Sequence, residues 1–322
     1  MPNTDCLVTG GSGFIGRRLV EQLSRSGRFR HVVNLDARAV EGEGHRIDVR
    51  RPITLHPGDH RFEVCVHLAA LAKEPGFAHR DYFEVNHEGT GHVLDLCTEL
   101  GIASVIFTST MMVFAAGDER RSETDAVDPD TAYGASKALA EQRARTWATA
   151  DPGRRLRIVR PGVVFGPEDE GNFARLRQLL ARKLFFYIGS RQTVKSCIHL
   201  DDVVGHLQYL IDDDDPHELV HSVIPDPTTI EEIVEGMFDA FGGRYRVPTV
   251  PFRVARTGAR PFELLARVGY DTGIHRRRID KLYHSTDVSA ERMRASCFAL
   301  RHPTVGAGLR AWAEAEGARA PG

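Results

Sequence analysis

The sequence has little of several features that would point to a particular class of protein. Its 322 residues include only five cysteines, and these are spread along the chain without a C-x-x-C pair, which excludes the usual cysteine metal and redox motifs. Lys and Arg number 42 against 44 Asp and Glu, so no broad basic field is present to attract nucleic acid or an anionic membrane. We expect neither as a partner, and a scattered, odd set of cysteines favours a reducing compartment.

Long hydrophobic runs are also scarce. The longest uncharged stretch, 100–117, carries four hydroxyl side chains and fits a buried strand and a loop better than a membrane span. The N-terminus lacks the basic and apolar succession of a secretory signal. We therefore expect a soluble, cytoplasmic protein.

The first half of the chain alternates β-branched runs with amphipathic stretches. This alternation is typical of an α/β protein with a doubly wound parallel sheet that is covered by helices on both faces. The strand-like runs are 5–9, 31–35, 63–68, 103–107 and 156–160, and the helix-like stretches lie near 14–26, 80–100 and 133–149. Beyond Pro167 the pattern becomes mixed, which predicts a second, smaller α/β lobe.

A glycine-rich turn follows the first strand. Three glycines at spacings of three allow a tight turn and close approach of the backbone to a pyrophosphate, and the amide groups at the start of the following helix attract the anion. This context predicts a dinucleotide-binding, Rossmann-type fold. The residues of the turn predicted to contact the dinucleotide are Gly10, Gly13, Phe14, Ile15 and Gly16.

The end of the second strand bears on the choice of cofactor. Asp36 stands where a carboxylate binds the adenosine ribose hydroxyls, and its charge would repel the extra phosphate of NADP, so the sequence favours NAD. Arg38 could receive that phosphate if Asp36 turned away, which keeps NADP as the alternative. Asp48 and Val49 are placed to touch the adenine, an ordinary surface turn being the other interpretation.

The second strong pattern is a tyrosine followed four residues later by a lysine. Tyr133 and Lys137 would share one face of a helix. An ammonium at about 4 Å contributes about 4 kcal/mol at an effective dielectric near 20, enough to lower the pKa of a phenol by about three units. We therefore interpret Tyr133 as an acid or base near neutral pH, against the alternative of an exposed tyrosine and an unrelated lysine.

Hydroxyl side chains cluster where the fourth predicted strand ends. Ligands bind at such strand ends in doubly wound folds, so Thr110 is a candidate for holding the substrate oxygen, with Thr108 and Ser109 as buried supports. Asn86 is a candidate for a hydrogen bond near the cofactor, a helix cap being the other interpretation.

Taken together, these residues resemble the extended short-chain dehydrogenase/reductase family, in its NAD-dependent epimerase/dehydratase branch that acts on nucleotide sugars. Their order along most of the chain carries the resemblance. Further matching segments are His67-Leu68-Ala69-Ala70, Arg160-Pro161, Phe165-Gly166-Pro167 and Ile198-His199-Leu200-Asp201-Asp202-Val203.

The resemblance implies two lobes and a set of site residues. An NAD(P)-binding Rossmann domain would comprise 1–166 and about 194–225, and a substrate-binding lobe would comprise about 167–193 and 226–322. The helices near 86–100 and after Tyr133 would form a homodimer interface. The residues that the resemblance assigns are Thr110, Tyr133 and Lys137 as the catalytic set, Lys137 also on the nicotinamide ribose, Leu68 and Ala69 beside the cofactor, and Asn172 and Lys195 beside the substrate diphosphate.

Some positions depart from the family pattern. Met111 and Met112 stand where dehydratases of this branch carry an Asp-Glu pair, and a thioether cannot act as an acid or base, which argues against a 4,6-dehydratase. Phe114-Ala115 in place of Tyr-Gly, and Val163 in place of an asparagine, weaken assignment to the best-known galactose epimerases.

These observations favour hydride transfer at a sugar carbon, C4 above all, by a nucleotide-sugar epimerase or ketoreductase, and they leave these two open. A hydroxysteroid- or flavonol-type dehydrogenase is the first alternative, and a non-catalytic NAD-sensing protein is the second. We expect no metal site, because prolines and glycines around His56 and His60 do not place these side chains on one helical face.

Overall fold

The computed structural model describes residues 3–40, 42, 44–74, 76–212, 217–258 and 276–317. The strands in these ranges are β1 (Asp5–Thr9), β2 (Val32–Asp36), β3 (His45–Arg46), β4 (Phe62–His67), β5 (Ser104–Thr108), β6 (Gly117–Arg121), β7 (Arg155–Pro161), β8 (Val163–Phe165), β9 (Tyr187–Ile188), β10 (Cys197–His199), β11 (Leu219–Ser222), β12 (Thr249–Val250) and β13 (Thr286–Val288). Seven of them form one parallel sheet in the order β11-β7-β5-β4-β1-β2-β3. The other six form three parallel pairs, β8 with β10, β9 with β12 and β6 with β13.

Helices connect these strands and cover the sheet. They are α1 (Phe14–Ser26), α2 (His79–Tyr82), α3 (Gly89–Glu99), α4 (Ala132–Thr149), α5 (Asn172–Ala181), α6 (Leu200–Asp212), α7 (Ile230–Phe241), α8 (Phe252–Gly258), α9 (Arg276–Tyr283), α10 (Glu291–Ala295) and α11 (Val305–Gly317), together with a π-helical turn (Phe83–Glu88) and a 3-10 turn (Met111–Val113). None of the helices in the described ranges combines the length and the apolar character that crossing a bilayer requires.

The central strands are buried on both faces, which explains their continuous apolar sequence. Alternate residues of β1 point to opposite sides of the sheet: Leu7 packs into the cluster beneath α3 and α4, whereas Cys6 and Val8 pack into the cluster beneath α1 and α6. In β5, Phe107 likewise packs into the first of these clusters and Ile106 into the second. The predicted doubly wound parallel sheet is confirmed.

The helix predicted near 80–100 differs from the expectation. A π-helical turn interrupts it at Phe83–Glu88 and places the amide of Asn86 in the interior, fully buried. Such turns are rare and often lie at functional sites. Asn86 is therefore not a helix cap.

The C-terminal part has a core of its own. Phe165, Phe173, Met237, Leu309 and Trp312 belong to one buried cluster formed largely by α5, α7 and α11. This cluster is separate from the two that cover the sheet. The division of the chain into domains near 166 and 226 stays a prediction.

Candidate active site

The glycine turn lies at the carboxyl end of β1. Gly10 has a φ of 75°, and a Cβ there would come within 2.5 Å of the Ala69 backbone nitrogen. A Cβ on Gly16 would lie 2.1 Å from the Gly10 carbonyl oxygen. Gly13 precedes α1 and offers no side-chain cap to the first amide groups of that helix, so these groups can bind an anion. The turn fits a dinucleotide pyrophosphate.

Asp36 lies beside this turn with its side chain almost fully buried. Its carboxylate accepts hydrogen bonds from the backbone nitrogen atoms of Ser12, at 3.0 Å, and Arg38, at 2.7 Å. The Arg38 guanidinium is 3.9 Å from the same carboxylate and is largely exposed. Asp36 is therefore held next to the turn, as binding of the ribose hydroxyls would require.

The predicted adenine contacts are engaged within the protein. The Asp48 carboxylate pairs with Arg50 at 2.6 Å. Val49 is buried, and its carbonyl oxygen lies 2.7 Å from Nδ1 of His92. Contact of Asp48 and Val49 with adenine stays a prediction.

Replacing Gly10 by alanine is expected to lower the free energy of unfolding by about 2–4 kcal/mol, because the new methyl group meets the backbone near Ala69 at a positive φ. The matched control is Gly27→Ala, which has a φ of 68° but nothing within 4 Å of the added Cβ, and which should cost about 1–2 kcal/mol. Urea unfolding measures both. Equal losses would show that the close approach at Gly10 contributes nothing.

Thr110 and Tyr133 meet beyond the carboxyl end of β5. The Thr110 hydroxyl accepts a hydrogen bond of 3.2 Å from the Met112 backbone nitrogen and lies near enough to Tyr133 to act on the pKa of its phenol. Thr131 caps the start of α4, where it accepts from the Gly134 nitrogen at 3.0 Å, and this cap sets where Tyr133 emerges. Two of the three predicted catalytic side chains are thus neighbours.

The pKa values of Tyr133 and Lys137 differ from those expected from the helical spacing of the two residues alone. Burial raises the pKa of Tyr133 to about 12, although the nearby Thr110 hydroxyl acts to lower this pKa. Burial also lowers the pKa of Lys137 to about 7, against the opposing effect of Glu141. The expectation of a lowered pKa for Tyr133 is wrong for the protein alone, because the estimate from spacing left out the desolvation of both groups.

Lys137 lies deep in the protein beneath the site. It is 1% exposed, and its ammonium is 4.1 Å from the centre of the Phe107 ring. This cation–π contact partly replaces water around the charge.

A chain of hydrogen bonds connects the glycine turn to the π-helical turn through His67. The Ala69 nitrogen donates to the Thr9 hydroxyl at 3.4 Å, which lies 2.6 Å from Nδ1 of His67. On the other side, Nε2 of His67 is 3.0 Å from the Thr90 hydroxyl, which donates to the Asn86 carbonyl oxygen at 2.6 Å. Because Thr90 donates onward, His67 donates from Nε2 and accepts at Nδ1.

His67 is therefore a neutral structural group. Burial and the nearby Lys137 charge lower the pKa of His67 to about 3. Sequence analysis assigned no role to this histidine, and the segment His67-Leu68-Ala69-Ala70 was the signal that could have found it.

Asn86 joins three elements around the site. Its Oδ1 accepts from the Leu71 nitrogen at 2.8 Å, and its Nδ2 donates to the Ser136 hydroxyl at 2.9 Å. The Leu71 carbonyl oxygen accepts a second bond from Nδ2. Asn86 thus fixes the loop that carries Leu68 and Ala69 against α4, and contact of all three residues with a cofactor stays a prediction.

A cavity of about 220 Å³ is lined by residues that follow Thr110 in the chain and by Thr131, whereas Thr110 and Tyr133 themselves do not line it. Its wall includes Met111, Met112 and Thr131, and across from them the segment 284–288. The two methionines that replace the Asp-Glu pair therefore face a space that a substrate could enter.

None of the three predicted substrate residues, Thr110, Asn172 and Lys195, lines this cavity. Asn172 is exposed at the first position of α5, whose start is already capped by the Asp169 carboxylate through the Gly171 and Ala174 nitrogen atoms. Lys195 is partly buried and donates to the His284 carbonyl oxygen. Binding of a diphosphate by either residue stays a prediction.

Two groups of histidine and aspartate side chains bring possible metal ligands within 4.8 Å of one another. In each group an arginine already pairs with the carboxylate: Arg30 with Asp5 at 2.8 Å, and Arg18 with Asp201 at 2.8 Å. The remaining members are His31, His60, His199 and His302. We assign both groups to ion pairing.

The sequence is also similar to those of known proteins. The model of the NAD dependent epimerase/dehydratase family matches residues 6–221. The chain belongs to this family. Among individual members, N-acetyl-alpha-D-glucosaminyl-diphospho-ditrans,octacis-undecaprenol 4-epimerase of Escherichia coli O157:H7 is 26% identical over 310 residues, which is 95% of this chain and 93% of that protein.

Other family members and solved structures agree with the fold. UDP-glucose 4-epimerase of Vibrio cholerae is 28% identical over 220 residues, 64% of this chain and 66% of that protein. Human sterol-4-alpha-carboxylate 3-dehydrogenase, decarboxylating, is 28% identical over 63% of this chain and 56% of its own length. The crystal structure of Thermotoga maritima UDP-glucose 4-epimerase with UDP-glucose has a TM-score of 0.76 at 18% identity and covers 99% of this chain and 100% of that one.

Proposed function

We propose that this family member is an NAD-dependent 4-epimerase of a nucleotide-diphosphate sugar. The observation that carries the proposal is that Thr110 and Tyr133 are neighbours, while Met111 and Met112, which directly follow Thr110, line a cavity. The family match and a 4-epimerase relative that aligns over nearly the whole chain support it.

The residues present fit NAD as the cofactor. Amide groups at the start of α1 would hold the pyrophosphate, Asp36 would bind the adenosine ribose hydroxyls, and Lys137 would bind the nicotinamide ribose. When bound, NAD would supply the acceptor and donor of a hydride for the sugar C4. The negative Asp36 disfavours the additional phosphate of NADP.

Residues of the protein would transfer the proton of the sugar hydroxyl. As the C4–H bond gives up its hydride, the C4–O–H proton moves to the phenolic oxygen of Tyr133, and the C4–O bond becomes a carbonyl. The Thr110 hydroxyl donates a hydrogen bond to the sugar oxygen, and the Lys137 ammonium stabilises the phenolate form of Tyr133 before the transfer. Return of the proton from Tyr133 completes the epimer.

We also propose the two-lobed division and the homodimer. The cavity supports the division, since Met111 and Thr131 come from the first part of the chain and 284–288 comes from the second. A substrate there would be enclosed from both sides.

The proposed homodimer would form through α3 and α4. These two helices pack side by side, and α4 carries a partly exposed Leu139. Size-exclusion chromatography with light scattering measures the mass of the protein in solution and so tests the homodimer.

A second candidate is a hydroxysteroid-type dehydrogenase. Met111, Met112 and Phe114 form an apolar part of the cavity wall, which would suit a sterol ring, and a human sterol dehydrogenase is among the relatives. Such an enzyme, like a 4-ketoreductase, would consume or form reduced cofactor in proportion to product.

The deciding experiment separates these reactions. The purified protein is denatured to release and quantify bound NAD, and is then incubated with UDP-glucose and with UDP-N-acetylglucosamine, with products resolved by chromatography. The expected result is a C4 epimer formed without net change in absorbance at the NADH band. Stoichiometric cofactor turnover on a ketosugar or a sterol, without epimer, would replace the proposal by one of its alternatives.

A further inference from the structure

Three functional side chains follow one another along the buried face of α4. Tyr133, Lys137 and Glu141 are spaced by four residues, so each lies one turn after the last. All three are buried, with exposures of 7%, 1% and 1%. Sequence analysis singled out the first two and did not extend the pattern to Glu141.

Both oxygens of the Glu141 carboxylate accept hydrogen bonds from other side chains. One oxygen accepts from the Ser109 hydroxyl at 2.6 Å and from Nε of Arg160 at 2.8 Å. The other accepts from a terminal nitrogen of Arg160 at 2.6 Å and lies 3.5 Å from Arg145. The pair with Arg160 is almost fully buried, which is a costly arrangement to keep for stability alone.

The charges around Lys137 come from several elements. On α4, Glu141 raises the pKa of Lys137 against the larger opposite effect of burial, and Tyr133 precedes it by one turn. On β4, His67 faces the ammonium as a neutral ring. On β5, Phe107 offers its face. On β7, Arg160 adds a positive charge behind Glu141. Of the carboxylates in the described ranges, Glu141 is the one that favours the ammonium form.

We propose that Glu141 is a positioning residue of the reaction, which keeps Lys137 charged beneath Tyr133 and is itself held in place by Arg160 and Ser109. This inference rests on the proposed function only in that Tyr133 is the acid and base. Ser109 directly precedes Thr110, so the same carboxylate also ties the end of β5 to α4. Glu141 thus shares a helix face with Tyr133 and Lys137 and is bonded to the residue that precedes Thr110.

The charges near Lys137 predict that two substitutions shift the pKa of this lysine in opposite directions. Loss of the carboxylate in Glu141→Gln leaves two buried cations, so Lys137 should release its proton more readily. Loss of the guanidinium in Arg160→Gln frees the carboxylate charge to act on Lys137, so the proton should be held more tightly. Damage to packing would change both variants in the same direction.

The test measures the pH dependence of kcat and the titration of Lys137. Because the reaction needs the ammonium, activity falls as pH rises through the pKa of Lys137. In Glu141→Gln this alkaline limb should move to lower pH by about one unit or more, given a full charge one helical turn away. In Arg160→Gln it should move to higher pH by about half a unit. NMR titration of the 13Cε signal of Lys137 should show the same order without turnover.

A control and a fallback complete the design. Arg143→Gln neutralises an exposed charge on the same helix and should leave the limb within about 0.2 unit, as screened surface charges do. If either single variant is too unstable to purify, Glu141→Gln/Arg160→Gln removes both partners together and should place the limb between the Glu141→Gln and wild-type positions.

The outcomes are distinguishable. Shifts of the same sign in Glu141→Gln and Arg160→Gln, or an unmoved Lys137 signal in both, would overturn the positioning role of Glu141. A wild-type protein that turns over no sugar nucleotide but shows the opposite NMR shifts would overturn the proposed function and leave the control of Lys137 by Glu141 standing.

Discussion

Tyr133→Phe is expected to lower kcat by about 10²–10⁴-fold, because the substitution removes the group that exchanges a proton with the sugar hydroxyl. The ring itself remains, so the packing of Tyr133 against Tyr82, with ring centres 6.2 Å apart, should persist. Bound NAD, quantified after denaturation, should be unchanged. Steady-state turnover of the sugar nucleotide measures the loss.

The matched control for this prediction is Tyr245→Phe. The Tyr245 hydroxyl donates to the Phe185 carbonyl oxygen at 3.0 Å, so its removal deletes a hydrogen-bonded, partly buried phenolic hydroxyl away from the site. We expect kcat within about twofold of wild type, as for a change away from the reacting atoms. A Tyr133→Phe protein with wild-type turnover would refute the assignment of Tyr133.

Asp5→Asn is expected to lower the free energy of unfolding at neutral pH by about 2–4 kcal/mol, because charge-assisted hydrogen bonds are lost and at least one donor around the buried side chain is left unsatisfied. The Asp5 carboxylate is fully buried at the start of β1. It pairs with two nitrogen atoms of Arg30 and accepts from the backbone nitrogen atoms of His31, at 3.0 Å, and Arg61, at 2.8 Å. An amide cannot satisfy all of these donors.

The same carboxylate makes stability depend on pH. Burial would raise the pKa of Asp5, but the hydrogen bonds from Arg30, Arg61, His60 and His31 outweigh burial and hold this pKa well below its usual range. Because the folded pKa lies below the unfolded value, the contribution is complete above a pH of about 4 and is lost as the pH falls further. Asp5→Asn should therefore lose less stability on acidification than the wild type.

Urea unfolding at pH 7 and in mild acid measures both effects. Asp59→Asn serves as the control, because Asp59 pairs with the same Arg30 but is 87% exposed, and an exposed pair of this kind contributes about 0–1 kcal/mol. If Asp5→Asn cost no more than Asp59→Asn, the cluster of Asp5, Arg30, His31 and His60 would have no structural importance.

Much of the fold could be predicted from local pattern. Buried parallel strands need continuous apolar residues, and the predicted runs at 5–9, 31–35, 63–68, 103–107 and 156–160 correspond to β1, β2, β4, β5 and β7 within one or two residues. The predicted helix at 14–26 coincides with α1. The π-helical turn was missed, because no local pattern shows the hydrogen bonds that Asn86 makes with Leu71 and Ser136, 15 and 50 positions away.

The sequence also predicted the candidate site only in part. The spacing of Tyr133 and Lys137 predicted their common helix face, and the strand end predicted Thr110. The spacing could not predict the direction of either pKa shift, because desolvation depends on what covers each group in the folded protein. Nor could it show that Glu141 is held by Arg160, a residue of β7.

What the sequence by itself determined is the set of local arrangements: a glycine turn between β1 and α1, alternation of buried strands and helices, and side chains repeated at helical spacing. These follow from backbone sterics and periodicity within a few residues. The tertiary structure alone decided which charges lie near one another, namely the buried Lys137, Glu141 and Arg160, and the buried Asp5 with the partly exposed Arg30. The energy of a charge depends on the neighbours and the water around it, and both are set only when distant segments pack.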